Sequence, residues 1–164
     1  MLLKGKFAMS SLVVTYSRSG LSRAAAEKIA SALHAETLEI SDGKAYKGAW
    51  GYCVAAVVGL KKKLPKLLPC KPSLPLGNYE KIILVSPVWC ENVSPFIRAF
   101  LSENKDAIKG QVIPVITHMS GISYLDKVEA MMKDAGKDCP LALSLQTRNH
   151  DWAKDTEKFL QKLL

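Results

Sequence analysis

Three short stretches of the chain carry residue types that can hold a ligand. The first is Ser17-Arg18-Ser19-Gly20-Leu21-Ser22. It places three hydroxyls and a glycine at the start of a segment with helical spacing, and the free N–H groups and positive dipole end of a helix start suit a phosphate. Helix starts ordinarily draw Asp or Glu into the first turn. Here that turn holds Arg23 and alanines, with Glu27 arriving later, as if the anion were to come from a ligand. A serine-capped helix after an ordinary turn is the competing reading. The second stretch is Pro87-Val88-Trp89-Cys90-Glu91-Asn92, running on to Pro95. Trp89 offers a flat apolar face for a planar ligand, and Glu91 and Asn92 offer polar edges; alternatively Trp89 only closes the core. The third is Thr117-His118-Met119-Ser120-Gly121. There Ser120 and Gly121 permit close backbone approach, and His118 can titrate or hydrogen-bond beside a ligand, unless it is a solvated surface histidine.

These stretches become interesting through the elements that must position them. Residues 11–16 are short, apolar and β-branched, as a strand buried on both faces requires. Residues 22–33 follow with Ala25, Ile29 and Leu33 on one helical face. A weaker strand at 37–40, a strong one at 81–86, and further strands at 112–117 and 141–145 alternate with helices. One helix begins at Pro95, another carries Leu125, Val128 and Met132, and the last carries Trp152, Phe159 and Leu163. The alternation predicts an α/β domain with a doubly wound, five-stranded parallel sheet. Pro114 cannot donate to a ladder, so it is expected at a strand start or a bulge. In such a sheet, ligands bind beyond the carboxyl ends of the strands. The three stretches leave strands one, three and four at that end.

Charge and cysteines exclude other classes. The chain has 23 Lys plus Arg against 15 Asp plus Glu, a net of +8. Seven of the lysines (Lys44, Lys47, Lys61, Lys62, Lys63, Lys66 and Lys71) fall between Asp42 and Glu80, where no acidic residue occurs. The basicity therefore belongs to one long, proline-containing connection at 43–79, with a possible helix around 48–60, and a general nucleic-acid surface is not indicated. Cys53, Cys70, Cys90 and Cys139 form no C-x-x-C pair, so metal ligation is not expected and reduced, cytoplasmic thiols are. Cys90 is expected to be inertly packed. Residues 1–9 read as a loose N-terminal extension of a single domain spanning 1–164, with no apolar run long enough to cross a bilayer. Neither the P-loop nor the G-x-G-x-x-G motif occurs.

Taken together, the loops resemble those of the flavodoxin family, whose sheet has the order 2-1-3-4-5. Tyr16-Ser17-Arg18-Ser19-Gly20-Leu21-Ser22 resembles the family's phosphate loop, and Pro87-Val88-Trp89 with Asn92 and Pro95 resembles its flavin-flanking loop. The resemblance implies FMN as cofactor. It implies Ser17, Arg18, Ser19, Gly20, Leu21 and Ser22 around its phosphate, with Pro87, Val88, Trp89, Cys90, Glu91 and Asn92 against the ring. His118, Met119, Ser120 and Gly121 would lie along the far side. Leu21 stands where Asn is common, Glu91 where Gly is frequent, and Met119 interrupts a loop that is often Gly-rich; these departures imply altered FMN binding on an unchanged fold.

The implied function is electron transfer through non-covalent FMN to a protein or small-molecule acceptor, without side-chain catalysis. An NAD(P)H-dependent flavin or quinone reductase and a cofactor-free binding module of the same fold are the alternatives. The basic connection, expected to run near the flavin side, points to an acidic redox partner or to NAD(P)H.

Overall fold

The computed structural model describes residues 10–41, 57, 64–67, 74–148 and 151–164. The expected N-terminal extension and most of the 43–79 connection, including its possible helix and six of its seven lysines, lie outside the described residues. The elements run β1 (Ser11–Thr15), α1 (Leu21–Leu33), β2 (Glu36–Glu39), β3 (Lys81–Trp89), β4 (Asn92–Val93), α2 (Pro95–Asn104), β5 (Gln111–His118), α3 (Leu125–Asp134), β6 (Leu143–Gln146) and α4 (Trp152–Leu163).

Five strands form a parallel path in the order β2-β1-β3-β5-β6. This is the expected order, with the fourth and fifth expected strands now β5 and β6. The addition is β4, two residues that fold back antiparallel onto the end of β3 and pair Trp89 with Asn92.

Alternation along the central strands builds a core on each face. Leu12, Val14, Ile82, Leu84, Val112 and Ile116 face one side with residues of α2 and α3. Val13, Ile83, Val85, Ile113 and Val115 face the other, with α1 and α4. Complete burial of each such side chain contributes about 1.5–3 kcal/mol. Among the described residues, β2 is the most exposed strand of the path, as suits an edge.

Pro114 corrects the expectation placed on it. It sits inside β5, opposite Leu84 of β3, not at a strand start or bulge. The β6 ladder begins one residue later, at Val115 opposite Leu143, so at Pro114 the strand is still a one-sided edge and the missing donor is tolerated.

The described part of the long connection packs on the α2/α3 side through Leu67 and Leu74. Leu64 lies in a groove with Arg98, Leu101, Lys105 and Ala135, along α2 from its middle to its C-cap and at the C-cap of α3. That is the end of the sheet opposite the three loops. At Leu64 the connection does not run along the expected ligand side.

Candidate functional site

The three stretches converge at the carboxyl ends of β1, β3 and β5. After β1, the Tyr16 N–H donates to the Val85 carbonyl at 3.3 Å, so the backbone stays tied to β3 for one residue more. The chain then turns. The Gly20 N–H donates to Ser17 Oγ at 3.0 Å, and Gly20 caps α1 with a φ of 93°, in the left-handed region. No side chain caps this helix and its first turn holds no acid. By contrast Ser94 caps α2 and Asp151 caps α4. The helical ladder opens with the Ala24 N–H on the Gly20 carbonyl, which leaves the N–H groups of Leu21, Ser22 and Arg23 ahead of it. A Cβ added at Gly20 would meet nothing within 4 Å among the described residues. Ser17 accepts within the turn and keeps its own hydroxyl proton to donate outward; Arg18 and Ser19 are exposed.

Within this stretch Ser22 departs from expectation and Leu21 does not. Ser22 is buried, and its hydroxyl lies 2.8 Å from that of Thr117. Its side chain therefore binds the end of β5, and only its backbone N–H belongs to the helix start. Leu21, in contrast, is 40% exposed. Arg23 is drawn aside by Glu39 at the end of β2, with its Nε 3.1 Å from both carboxylate oxygens.

After β3, the expected loop is largely strand. Pro87, Val88 and Trp89 extend β3, and Cys90 and Glu91 form a two-residue turn into β4. Both turn residues have positive φ, 47° and 57°, the backbone of a type I′ hairpin turn, which normally selects Asn and Gly. Trp89 does not present a face to solvent. It is 9% exposed and lies edge-on to Tyr16 (5.6 Å) and Phe96 (5.8 Å), which stack on each other at 4.6 Å. Such pairs are worth about 0.5–1.5 kcal/mol beyond area burial, so the indole serves the core. What the hairpin shows outward is Cys90 and Glu91, both exposed; Cys90 is not packed inside as expected. Asn92 turns its Oδ1 to the Val93 N–H at 2.8 Å.

After β5, His118 is buried and not a solvated loop residue. Burial holds its imidazole below the ordinary value, against an opposing hydrogen bond to the Ser120 carbonyl. Met119 is 60% exposed and Ile122 58%. A Cβ at Gly121 would point into open space, so close packing within the chain does not demand glycine there.

No protein-family model matches the sequence, and no curated protein does. Solved structures do. A flavoprotein from Lactobacillus acidophilus in complex with FMN superposes with a TM-score of 0.67 at 22% identity, over 91% of this chain and 99% of that one. A protein from Bacteroides uniformis assigned as a flavoprotein gives 0.72 at 20%, over 93% and 97%. A flavo di-iron protein from Thermotoga maritima gives 0.59 at 15%, over 94% of this chain and 35% of that larger one. The fold is flavodoxin-like.

In this flavodoxin-like sheet, Ser86 and Phe96, which sequence reasoning missed as site residues, join the loops together with Thr117 and Tyr16. Thr117 bridges Ser22 to the Ser86 carbonyl (3.4 Å). Ser86 Oγ in turn accepts the Ser94 N–H at 3.0 Å. Tyr16 and Phe96 complete the aromatic cluster that holds Trp89. A polar residue ending an apolar run, as Ser86 and Thr117 do, was the available signal. Among the described residues there is no cluster of His, Cys, Asp and Glu able to hold a metal, and no helix long and apolar enough to cross a membrane. Cys139, the other described cysteine, is partly buried, and burial together with Glu129 pushes its thiol up.

Proposed function

We propose that this chain holds FMN non-covalently at the carboxyl ends of β1, β3 and β5 and acts as a redox protein. The observation that carries this reading is the start of α1. It is uncapped, free of acid and opened by a left-handed Gly20, in a fold shared with a flavoprotein solved in complex with FMN. The residues present fit the group. The backbone N–H groups of Leu21, Ser22 and Arg23, with the hydroxyls of Ser17 and Ser19, match a phosphate's acceptor oxygens. Exposed Leu21 and Met119 match an apolar ring.

When bound, FMN supplies the electron-transfer chemistry. The chain's own residues do the binding and tuning. Arg18 adds a cation beside the phosphate seat. The Cys90–Glu91 turn, with its backbone in the left-handed region, forms one wall, and Met119, Ser120 and Gly121 form the other. Trp89 supports the first wall from behind and does not stack on the ring. The Glu91 carboxylate at the tip disfavours added negative charge nearby. An acidic redox protein, or NAD(P)H, is the partner class that fits the basic connection.

The test is a titration of purified protein with FMN, read by flavin fluorescence and visible absorbance. Quenching and a shifted spectrum are the expected result. An unchanged spectrum at saturating FMN overturns the reading and favours a cofactor-free binding module. Rapid NADPH oxidation with a quinone, in the absence of a partner protein, would reassign the chain to the flavin or quinone reductases.

A further inference from the structure

His118 ends β5 and continues the inward alternation of Val112 and Ile116. Both ring nitrogens are engaged. Nδ1 lies 3.0 Å from the Ser120 carbonyl oxygen, and a carbonyl only accepts, so Nδ1 carries the proton. Nε2 is then a bare acceptor for the Ser144 hydroxyl, 2.9 Å away. The same Ser144 oxygen accepts the Tyr124 N–H at 3.1 Å, and the Ser120 hydroxyl donates to the Tyr124 phenol at 3.2 Å. Behind the ring, the His118 carbonyl accepts from the Thr147 N–H and hydroxyl at 2.8 and 3.1 Å. The imidazole thus links Ser120 to Ser144 of β6, and Ser144 in turn holds Tyr124 at the other end of the 119–124 loop.

We propose that His118 is a positioning residue: its neutral Nδ1–H form clamps the 119–124 loop to β6 and so sets one wall of the ligand site, and protonation releases the clamp. The binding consequence rests on the flavin reading; the clamp does not. A proton on Nε2 would make it a donor facing Ser144, whose hydroxyl would have to rotate and give up the acceptor of its own proton. Among the described residues no counter-ion would repay this. The loop faces the ring with Ser120 and the Tyr124 phenol, which stands edge-on at 5.1 Å. From β6 the ring meets Ser144, and Thr147 reaches only the backbone behind it. Among the described residues, Tyr124 is the one titratable neighbour and no carboxylate acts on the imidazole. A buried charge without a partner is costly.

Two measurements test this. Nitrogen-15 NMR of the wild-type chain without flavin, from about pH 8 to about pH 5, should find Nδ1 protonated and Nε2 bare until below the ordinary histidine value. Amide exchange across 119–124 should accelerate as the ring titrates. An Nε2–H tautomer, or titration with no change in loop exchange, overturns the clamp. In the second, FMN affinity is compared between wild type and His118→Gln, with His118→Asn in reserve should Gln fail to fold. The ratio cancels the ionisation of the FMN phosphate. It should fall with pH below the ring's titration, by at most about tenfold per unit; a flat ratio overturns the role in binding. Absence of FMN binding in every variant and at every pH overturns the flavin reading instead, and the NMR result still decides the clamp.

Discussion

The hydroxyls of Ser22 and Thr117 meet at 2.8 Å in the buried layer beneath the candidate site. They join the start of α1 to the end of β5, residues 95 positions apart. Thr117 also lies within reach of the Ser86 carbonyl, at 3.4 Å, so its hydroxyl has an acceptor there when Ser22 supplies the proton between the two hydroxyls. The relay Ser22 to Thr117 to Ser86 thereby ties together the ends of the three strands that carry the candidate loops.

This relay predicts a coupled response. Thr117→Val keeps the shape but leaves the Ser22 hydroxyl buried without an acceptor, at a cost of about 1–3 kcal/mol. Ser22→Ala should cost less, because Thr117 retains the Ser86 carbonyl. The double variant should cost less than the sum of the two, since no orphaned hydroxyl remains. Urea unfolding of the four proteins measures the coupling. Strict additivity would mean that the hydroxyls do not interact.

The glycines make a second, graded prediction. Gly20→Ala meets no atom but inherits a φ of 93°, so it should cost about 1–2 kcal/mol through the backbone alone. Gly110→Ala should be far worse, because a Cβ there would collide with the Tyr79 and Glu80 carbonyls, which are backbone and cannot swing aside. Gly121→Ala has open space and should stay within about 0.5 kcal/mol of wild type. Thermal melts rank the three, and a Gly121 variant as damaged as the Gly110 variant would contradict the geometry.

At the hairpin tip, Cys90 and Glu91 both occupy the left-handed region, which costs non-glycine residues about 1–2 kcal/mol each. Glu91→Gly should therefore raise stability by about 0.5–1 kcal/mol after the glycine's added unfolded-state freedom is subtracted. The urea midpoint should rise while the denaturant slope stays fixed. A lowered midpoint would show that Glu91 makes compensating contacts at this turn.

The central strands were legible in the sequence because β1, β3 and β5 are buried on both faces, and continuous apolar runs admit few other readings. The β4 hairpin was not, because its turn uses Cys-Glu where Asn-Gly would have signalled it. Trp89 was misplaced for a related reason. Val88 and Trp89 both pack on the α2/α3 side, so the two-residue alternation breaks past Pro87 and no periodic argument could orient the indole. For His118 the signal was present: counting in twos from Val112 through Ile116 points it inward. The proximity of Ser22 to Thr117 was beyond reach, since it depends on how α1 crosses the sheet. At the start of α1 the missing acid was legible in the sequence, whereas the lack of a serine cap, which the sequence left open, is seen only in the structure.

Stability should depend on pH through two buried groups that act with opposite signs, His118 and Tyr79. Burial depresses His118 in the folded state, so between its folded value and the unfolded value of about 6.5 the unfolded chain binds the extra proton. Its contribution to stability is present above about pH 6.5 and is lost as pH falls below it. Tyr79 works the other way. Its hydroxyl, buried and donating to Glu36 at 2.8 Å, is pushed up to about 12 by burial and by that carboxylate. Its contribution is complete below the unfolded value of about 10 and is lost as pH rises through the folded one. Urea midpoints measured against pH for wild type, His118→Gln and Tyr79→Phe separate the limbs. The Gln variant should flatten the acid limb below about pH 6.5 and leave the alkaline one, and the Phe variant should do the reverse above about pH 10. An acid limb unchanged in the Gln variant would assign that loss of stability to carboxylates and remove His118 from it.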